Sequence, residues 1–319
     1  MKTMFALIVT IAAIPSATAA QIKIVTTTTE YADIARQIGG DKVSVHSVMR
    51  GPENVHNVMA NPSEMVFLND ADLFVHGGLD SEPWRDNLLK GARNPRVAPG
   101  KPGNVDMSNG IDLKDVPTGK IDRSMGDVHA YGNPHFQLNP QNAQRMAATL
   151  VKSMMQADPA NADLYKENAK KFVIEMADLS RELREKVAPY AGLKVVSFHA
   201  AWEYFADAVP IEIVGTIEPK PLITPSPAQV RQFIDMMKRQ GVKVVIVETY
   251  SDDKLAQRIA DEAGAKCIRL PDHVLGLPEA DTYQKLFRYN VDQILAAAKS
   301  AGIAPRPVVP TTNEAKDAR

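Results

Sequence analysis

Between residues 158 and 189 one apolar stripe runs without a break. Phe172, Met176, Leu179, Leu183 and Val187 recur at steps of three and four residues, the spacing that places side chains on one face of an α-helix. Asp158-Pro159 opens the segment with a proline where the first turn of a helix needs no N–H, and Pro189 closes it. A helix of roughly 28 residues is about 40 Å long at 1.5 Å per residue. The mean globular helix has only about 11–12 residues, so this one reads as a rigid spine with a lobe at each end.

Both flanks of the spine carry the same rhythm. Before it, strand candidates at 22–26 (IKIVT), 43–49 and 73–76 alternate with helix candidates at 31–38, 61–68 and 82–89. After it, strand candidates at 194–198 (KVVSF), 211–217, 243–247 (KVVIV) and 266–270 alternate with helix candidates at 200–206, 227–240, 254–263 and 282–301. Short Val- and Ile-rich runs separated by amphipathic stretches predict βα units and parallel strands. Residues 99–134, rich in Gly, Pro, Asp and Lys and without periodicity, read as a long loop, after which Asn139-Pro140 starts a helix to about Met155. The expected fold is α/β: two βα lobes, each with a mainly parallel sheet flanked by helices, joined by one long spine helix. The expected boundaries are an N-terminal lobe at 21–157, the spine at 158–189, a C-terminal lobe at 190–304 and a frayed tail at 305–319.

Residues 1–20 fall outside that rhythm. Lys2 precedes an apolar run at 5–14, Pro15-Ser16 breaks it, and Ala17-Thr18-Ala19 has the small-x-small form of a cleavage site. This is a signal peptide, with the mature chain starting at Ala20 or Gln21. No cysteine stands at the cleavage point, so no lipid anchor is expected, and no later segment has about 18 consecutive apolar residues. The expected location is a bacterial periplasm. Cys267 is the sole cysteine, which excludes a disulfide framework and a Cys-based zinc cluster; inside a strand candidate it reads as a small buried apolar residue. Lys and Arg number 37 against 38 Asp and Glu, so no basic surplus points to nucleic acid.

The seven histidines carry the chemical signal. His56 lies in the connection after the second strand candidate, His135 just before the Asn139 helix, and His199 directly after KVVSF; Asp272 follows the last strand candidate. Ligands of open α/β sheets bind beyond the carboxyl ends of the strands. Two of these residues come from each lobe, so they can converge only in the cleft between lobes. Three imidazoles and a carboxylate make a four-coordinate set suited to zinc and leave no open position for catalysis. Each imidazole has an ordinary pKa of about 6.5, so up to about three protons would compete with the ion below about pH 6. No CxxC or HExxH spacing supports the set, so the residues alone are a weak signal. His46 reads as a strand-face residue and His76 as strand-end packing; His273 reads as a surface residue, or else as a support behind Asp272, and His129 as a solvated loop histidine, or else as a spare ligand that helps capture the ion. Glu248, at the end of KVVIV, is a reserve carboxylate at the cleft rim.

Four segments in order resemble the metal-binding segments of the zinc/manganese-type periplasmic solute-binding proteins of metal ABC importers. They are GPENVHNVMANPSEMVFLNDADLFVHGGLDSEPW (51–84), GNPHFQLNPQNA (132–143), SFHAAWEYFA (197–206) and LPDHVLG (270–276), the last followed by Tyr283 and Arg288-Tyr289-Asn290-Val291. The resemblance implies His56, His135, His199 and Asp272 as metal ligands, Zn²⁺ as the transported ion and an ABC membrane permease as the receiving partner. It also implies a monomer, with room for a periplasmic metallochaperone as loader, and no enzyme activity. Two features depart from the family pattern: Asn54-Val55 stands where Asp-Pro is usual before the first histidine, and the loop at 99–134 has scattered Asp106, Asp112, Asp115, Asp122 and Asp127 but only His129 in place of a histidine-rich run. Manganese-type members tend to carry a carboxylate in the third position, so His199 argues for zinc. The rivals are a manganese- or iron-delivering member of the same family, a surface adhesin, and a zinc hydrolase using Glu203, four residues after His199; the hydrolase would need an open coordination position and a base.

Overall fold

The computed structural model describes residues 21–59, 61–119, 129–218 and 223–307. The signal peptide expected at 1–20, the residues from 308 onward, and Asp122 and Asp127 of the loop lie outside the described residues.

Each half of the chain forms a four-stranded sheet with all neighbours parallel. The first contains β1 (Ile22–Thr26), β2 (Val43–Ser47), β3 (Leu73–His76) and β4 (Asn104–Asp106) in the order β2-β1-β3-β4. The second contains β5 (Leu193–Ser197), β6 (Ile211–Thr216), β7 (Val244–Glu248) and β8 (Lys266–Leu270) in the order β6-β5-β7-β8. The two orders are the same when each half is numbered from its own first strand. In both, the chain leaves the first strand toward one edge and returns to its other side, which opens a crevice beside that strand's carboxyl end. Parallel strands covered on both faces read as continuous apolar runs, and all five residues of β7, VVIVE, are buried.

Helices α1 (Thr29–Gly39), α2 (Pro62–Asn69) and α3 (Arg85–Ala92) serve the first sheet; α6 (Glu203–Ala208), α7 (Pro227–Gln240), α8 (Lys254–Ala263) and α9 (Tyr283–Ser300) serve the second. Between them lie α4 (Pro140–Ala157) and the spine, α5 (Ala162–Val187). Capping sets several starts where the sequence placed them: Asn61, Asn139 and Ser226 each accept a backbone N–H of the first turn, with Pro next in line. The spine helix begins at Ala162, four residues after the expected start at 158, because Pro159–Asn161 form a separate 3₁₀ turn. The helix proper has 26 residues. No helix among the described residues is long and apolar enough to cross a membrane.

One apolar core crosses the spine. It runs from Ile24 and Val75 through Met146, Leu150, Phe172, Met176 and Leu183 to Val195, Phe205 and Phe287. The stripe that defined the spine in sequence is its buried face: Phe172, Met176, Leu179, Leu183 and Val187 are all buried. The two lobes thus share one packed core across the spine.

The 99–134 loop is not wholly irregular. Asn104–Asp106 form the edge strand β4, with Val105 buried. Three residues are too few to show alternation, and Gly103 before them is chosen for space: a Cβ there would stand 2.6 Å from the Asp72 carbonyl oxygen.

Candidate metal site

The histidines predicted as ligands lie at the carboxyl side of both sheets. His56 sits in a 3₁₀ turn, Val55–Asn57, whose first N–H groups are held by Asn54: its Oδ1 accepts from the His56 N–H at 2.9 Å. Asn54, the departure from the family pattern, therefore supplies the cap itself. Gly51 lets this segment meet the second lobe, since a Cβ there would lie 2.0 Å from the Leu275 carbonyl oxygen. His135 is placed by Asn133, whose Oδ1 accepts its N–H at 3.0 Å. The Asn133 amide also donates to Asp115 Oδ2 at 3.0 Å and, across the cleft, to the Ala200 carbonyl and Glu203 Oε2 at 3.2 Å. His199 follows β5 and is fixed by Ser197, whose hydroxyl donates to its carbonyl oxygen at 2.7 Å.

Ring orientation follows from the outer hydrogen bonds. His56 Nδ1 lies 3.0 Å from the Ser81 carbonyl oxygen, an acceptor only, so Nδ1 carries the proton and Nε2 keeps its lone pair. That Nε2 is buried with no protein partner. His199 Nδ1 lies 2.9 Å from Glu218 Oε2, which likewise directs its Nε2 inward. There it faces His135 Nε2 at 3.3 Å. His56, His129 and His135 each offer a ligand atom, and these lie within 4.8 Å of one another. Four imidazoles from both lobes thus share one pocket of space.

Their electrostatics differ. Burial holds His56 well below the ordinary imidazole value, and neighbouring His129 and His199 push it the same way. Burial does the same to His135, again helped by His199 and His56. His199 is also pressed down by burial, but the hydrogen-bonded Glu218 carboxylate, with Glu248, outweighs it and raises its pKa. Burial thereby favours the neutral, ion-binding form of His56 and His135, while Glu218 favours the protonated form of His199.

The carboxylates sit deeper. Asp272 is 1% exposed and accepts from the Tyr250 hydroxyl at 2.9 Å; it does not belong to the close imidazole set. Glu248 is fully buried, accepts from Trp202 Nε1 at 2.8 Å, and is pushed up to about 7 by burial. Glu203 is engaged by the Asn133 amide.

Two histidine readings need correction. His273 is not a surface residue: it is 2% exposed, with Nδ1 3.0 Å from Glu30 Oε2 and Nε2 3.7 Å from Asp272 Oδ2. Burial lowers its pKa, yet Glu30 and Asp272 overcome this and lift it to about 9. His129 is not simply solvated: its ring centroid lies 4.8 Å from that of His56 and 6.5 Å from that of His135. Cys267 is half-buried where full burial was expected, and it packs on the outer face of the second sheet. His76 and His46 match their readings: His76 packs at a strand end against Asn104, and His46 stacks on Phe67 at 3.8 Å. Glu218, Ser81 and Glu30 were not singled out in sequence, because a residue that orients a ring is recognisable only once the fold brings it there.

Comparison with known proteins identifies the family. The family described as "Zinc-uptake complex component A periplasmic" matches residues 24–297. The iron-binding protein YfeA of Yersinia pestis is 27% identical over 88% of this chain and 87% of its own length. The manganese ABC transporter substrate-binding lipoprotein PsaA of Streptococcus mitis is 25% identical over 88% of this chain and 90% of its own. Among solved structures, a crystal structure of ZnuA superposes with a TM-score of 0.73 at 26% identity, covering 87% of this chain and 99% of that one. The chain belongs to the family of zinc-uptake complex component A, the periplasmic metal-binding substrate-binding proteins of ABC importers.

Proposed function

We propose that this chain captures Zn²⁺ between its lobes and delivers it to an inner-membrane ABC permease for uptake. His56, His135 and His199 bind the ion through nitrogen, and Asp272 supplies the fourth, oxygen donor. One observation carries the choice of zinc. The His135 and His199 Nε2 atoms stand 3.3 Å apart, and two ligands on a tetrahedral zinc with bonds of 2.0–2.1 Å are separated by about 3.3–3.4 Å. The imidazole-rich donor set supports the same reading, because nitrogen donors rank zinc well above manganese. The named relatives for iron and manganese supply the rival reading, an importer component for those ions.

The pH dependence of zinc affinity tests the assignment. Burial keeps His56 and His135 neutral well below pH 6.5, so they bring no proton to displace near neutrality. Only His199, raised by Glu218, does. His199 is therefore the ligand whose proton competes most with the ion as pH falls. Zinc affinity should therefore fall as pH drops below neutrality, chiefly through His199. His199→Ala should bind more weakly with almost no slope there. A wild-type slope near zero would remove His199 from the site.

A further inference from the structure

Two first-lobe segments meet close to His135, and a side chain of the second lobe stands between them. The Asn133 N–H donates to the Lys114 carbonyl oxygen at 2.8 Å. Facing residues of a closely paired backbone usually exchange two such bonds. Here the return bond runs through a hydroxyl. The Lys114 N–H donates to Tyr204 Oη at 2.9 Å, and that hydroxyl donates to the Asn133 carbonyl oxygen at 3.2 Å. Tyr204 thus supplies one rung of the pair. Gly132 permits the approach: its φ is +114, and a Cβ there would stand 2.8 Å from the Lys114 carbonyl oxygen. Tyr204 is 2% exposed and belongs to α6, which also sends Asp207 to the Lys114 ammonium at 2.8 Å.

Both halves of the site hang on this rung. His135 lies two residues after Asn133 and donates its N–H to the Asn133 side chain at 3.0 Å. His199 lies on the connection between β5 and α6. The rung therefore ties the chain that carries His135 to the helix that follows His199. We propose that Tyr204 is a positioning residue that sets which ion the site prefers. Its hydroxyl fixes the offset between lobes that holds the His135 and His199 Nε2 atoms at 3.3 Å. The residue acts through the Asn133 backbone and not as a ligand. This rests on the reading of the inner imidazoles as the zinc site. Two nitrogens at that spacing fit one edge of a tetrahedral zinc ion. Manganese favours six ligands, largely oxygen, and draws less of its binding from this pair. Loosening the rung should therefore cost zinc more than manganese.

Tyr204→Phe keeps the buried ring and removes the rung. Chelator competition at pH 7 should show zinc affinity falling about tenfold, as for other partners that orient a metal ligand, while manganese affinity changes less than about threefold. Cobalt(II) supplies a second readout, because a tetrahedral ion absorbs visible light far more strongly than a six-coordinate one. The variant's cobalt bands should lose intensity. Urea unfolding of the metal-free variant tracks the fold itself. A variant that is less stable but keeps the zinc affinity and cobalt bands of the unaltered chain would overturn the proposal, since Tyr204 would then only hold the fold. Equal losses for zinc and manganese would overturn it too. His135→Ala serves as the control for the site. If it binds zinc as tightly as the unaltered chain, the inner-site reading fails; if it loses zinc while Tyr204→Phe keeps the full preference for zinc, only the positioning role fails.

Discussion

Replacing His135 by alanine lowers zinc affinity at least about 100-fold and leaves the metal-free fold as stable as before. His135 is the hub of the cluster: its Nε2 faces that of His199 at 3.3 Å, and its donor atom is within 4.8 Å of those of both His56 and His129. Residues that merely orient a metal ligand are worth about 10–100-fold in affinity, so a ligand shared by every geometry of the site stands at or beyond the top of that range. Stability is spared because the ring is a buried polar group crowded by three others, and burial already holds it neutral. His76→Ala is the matched control: also buried, also polar, but bonded to Asn104 and Arg85 away from the cluster. It should cost stability and leave zinc affinity unchanged. Chelator competition on both variants checks this, and a loss under threefold for His135→Ala would contradict it.

The second large effect concerns stability and lies one step behind the site. Glu30, on α1 of the first lobe, holds His273 of the second at 3.0 Å, with both side chains at or below 2% exposure. The adjacent Thr29 hydroxyl donates to the Val274 carbonyl at 2.6 Å, so the contact is a seam between lobes. In the metal-free protein Glu30 and Asp272 raise His273 to about 9 against the pull of burial. A folded-state pKa raised above the unfolded value of about 6.5 contributes stability that is complete below about pH 6.5 and vanishes as pH rises through about 9. The difference corresponds to about 3 kcal/mol, in line with the cost of breaking a buried pair. Glu30→Gln should therefore destabilise the metal-free chain by about 3 kcal/mol at pH 6 and by far less at pH 10. Urea unfolding at the two pH values measures it; an equal loss at both would show that packing, not charge, holds the seam.

Most of the fold was legible because it rests on local pattern. The α7 and α8 bounds follow from Ser226-Pro227 and from glycines at 241 and 264 that adopt the left-handed conformation ending each helix. The strands were legible as uninterrupted apolar runs. What local pattern cannot carry is the edge strand β4, which exists only because β3 offers it a partner. The site divides the same way. His135 and His199 were visible from their positions beside strand and helix ends, and the fold brings them to hydrogen-bonding distance. The Glu30–His273 pair acts between segments far apart in sequence, its partners separated by 243 residues. No window of sequence contains both partners, so their burial and charge emerge only on folding.

Zinc and manganese in direct competition test the central claim. Metal-free protein equilibrated with equimolar zinc and a thousandfold excess of manganese, then freed of unbound ions, should carry about one zinc per chain and almost no manganese, as nitrogen donors dictate. Protein that emerges holding manganese would contradict the imidazole site and return the chain to the manganese-delivering side of its family.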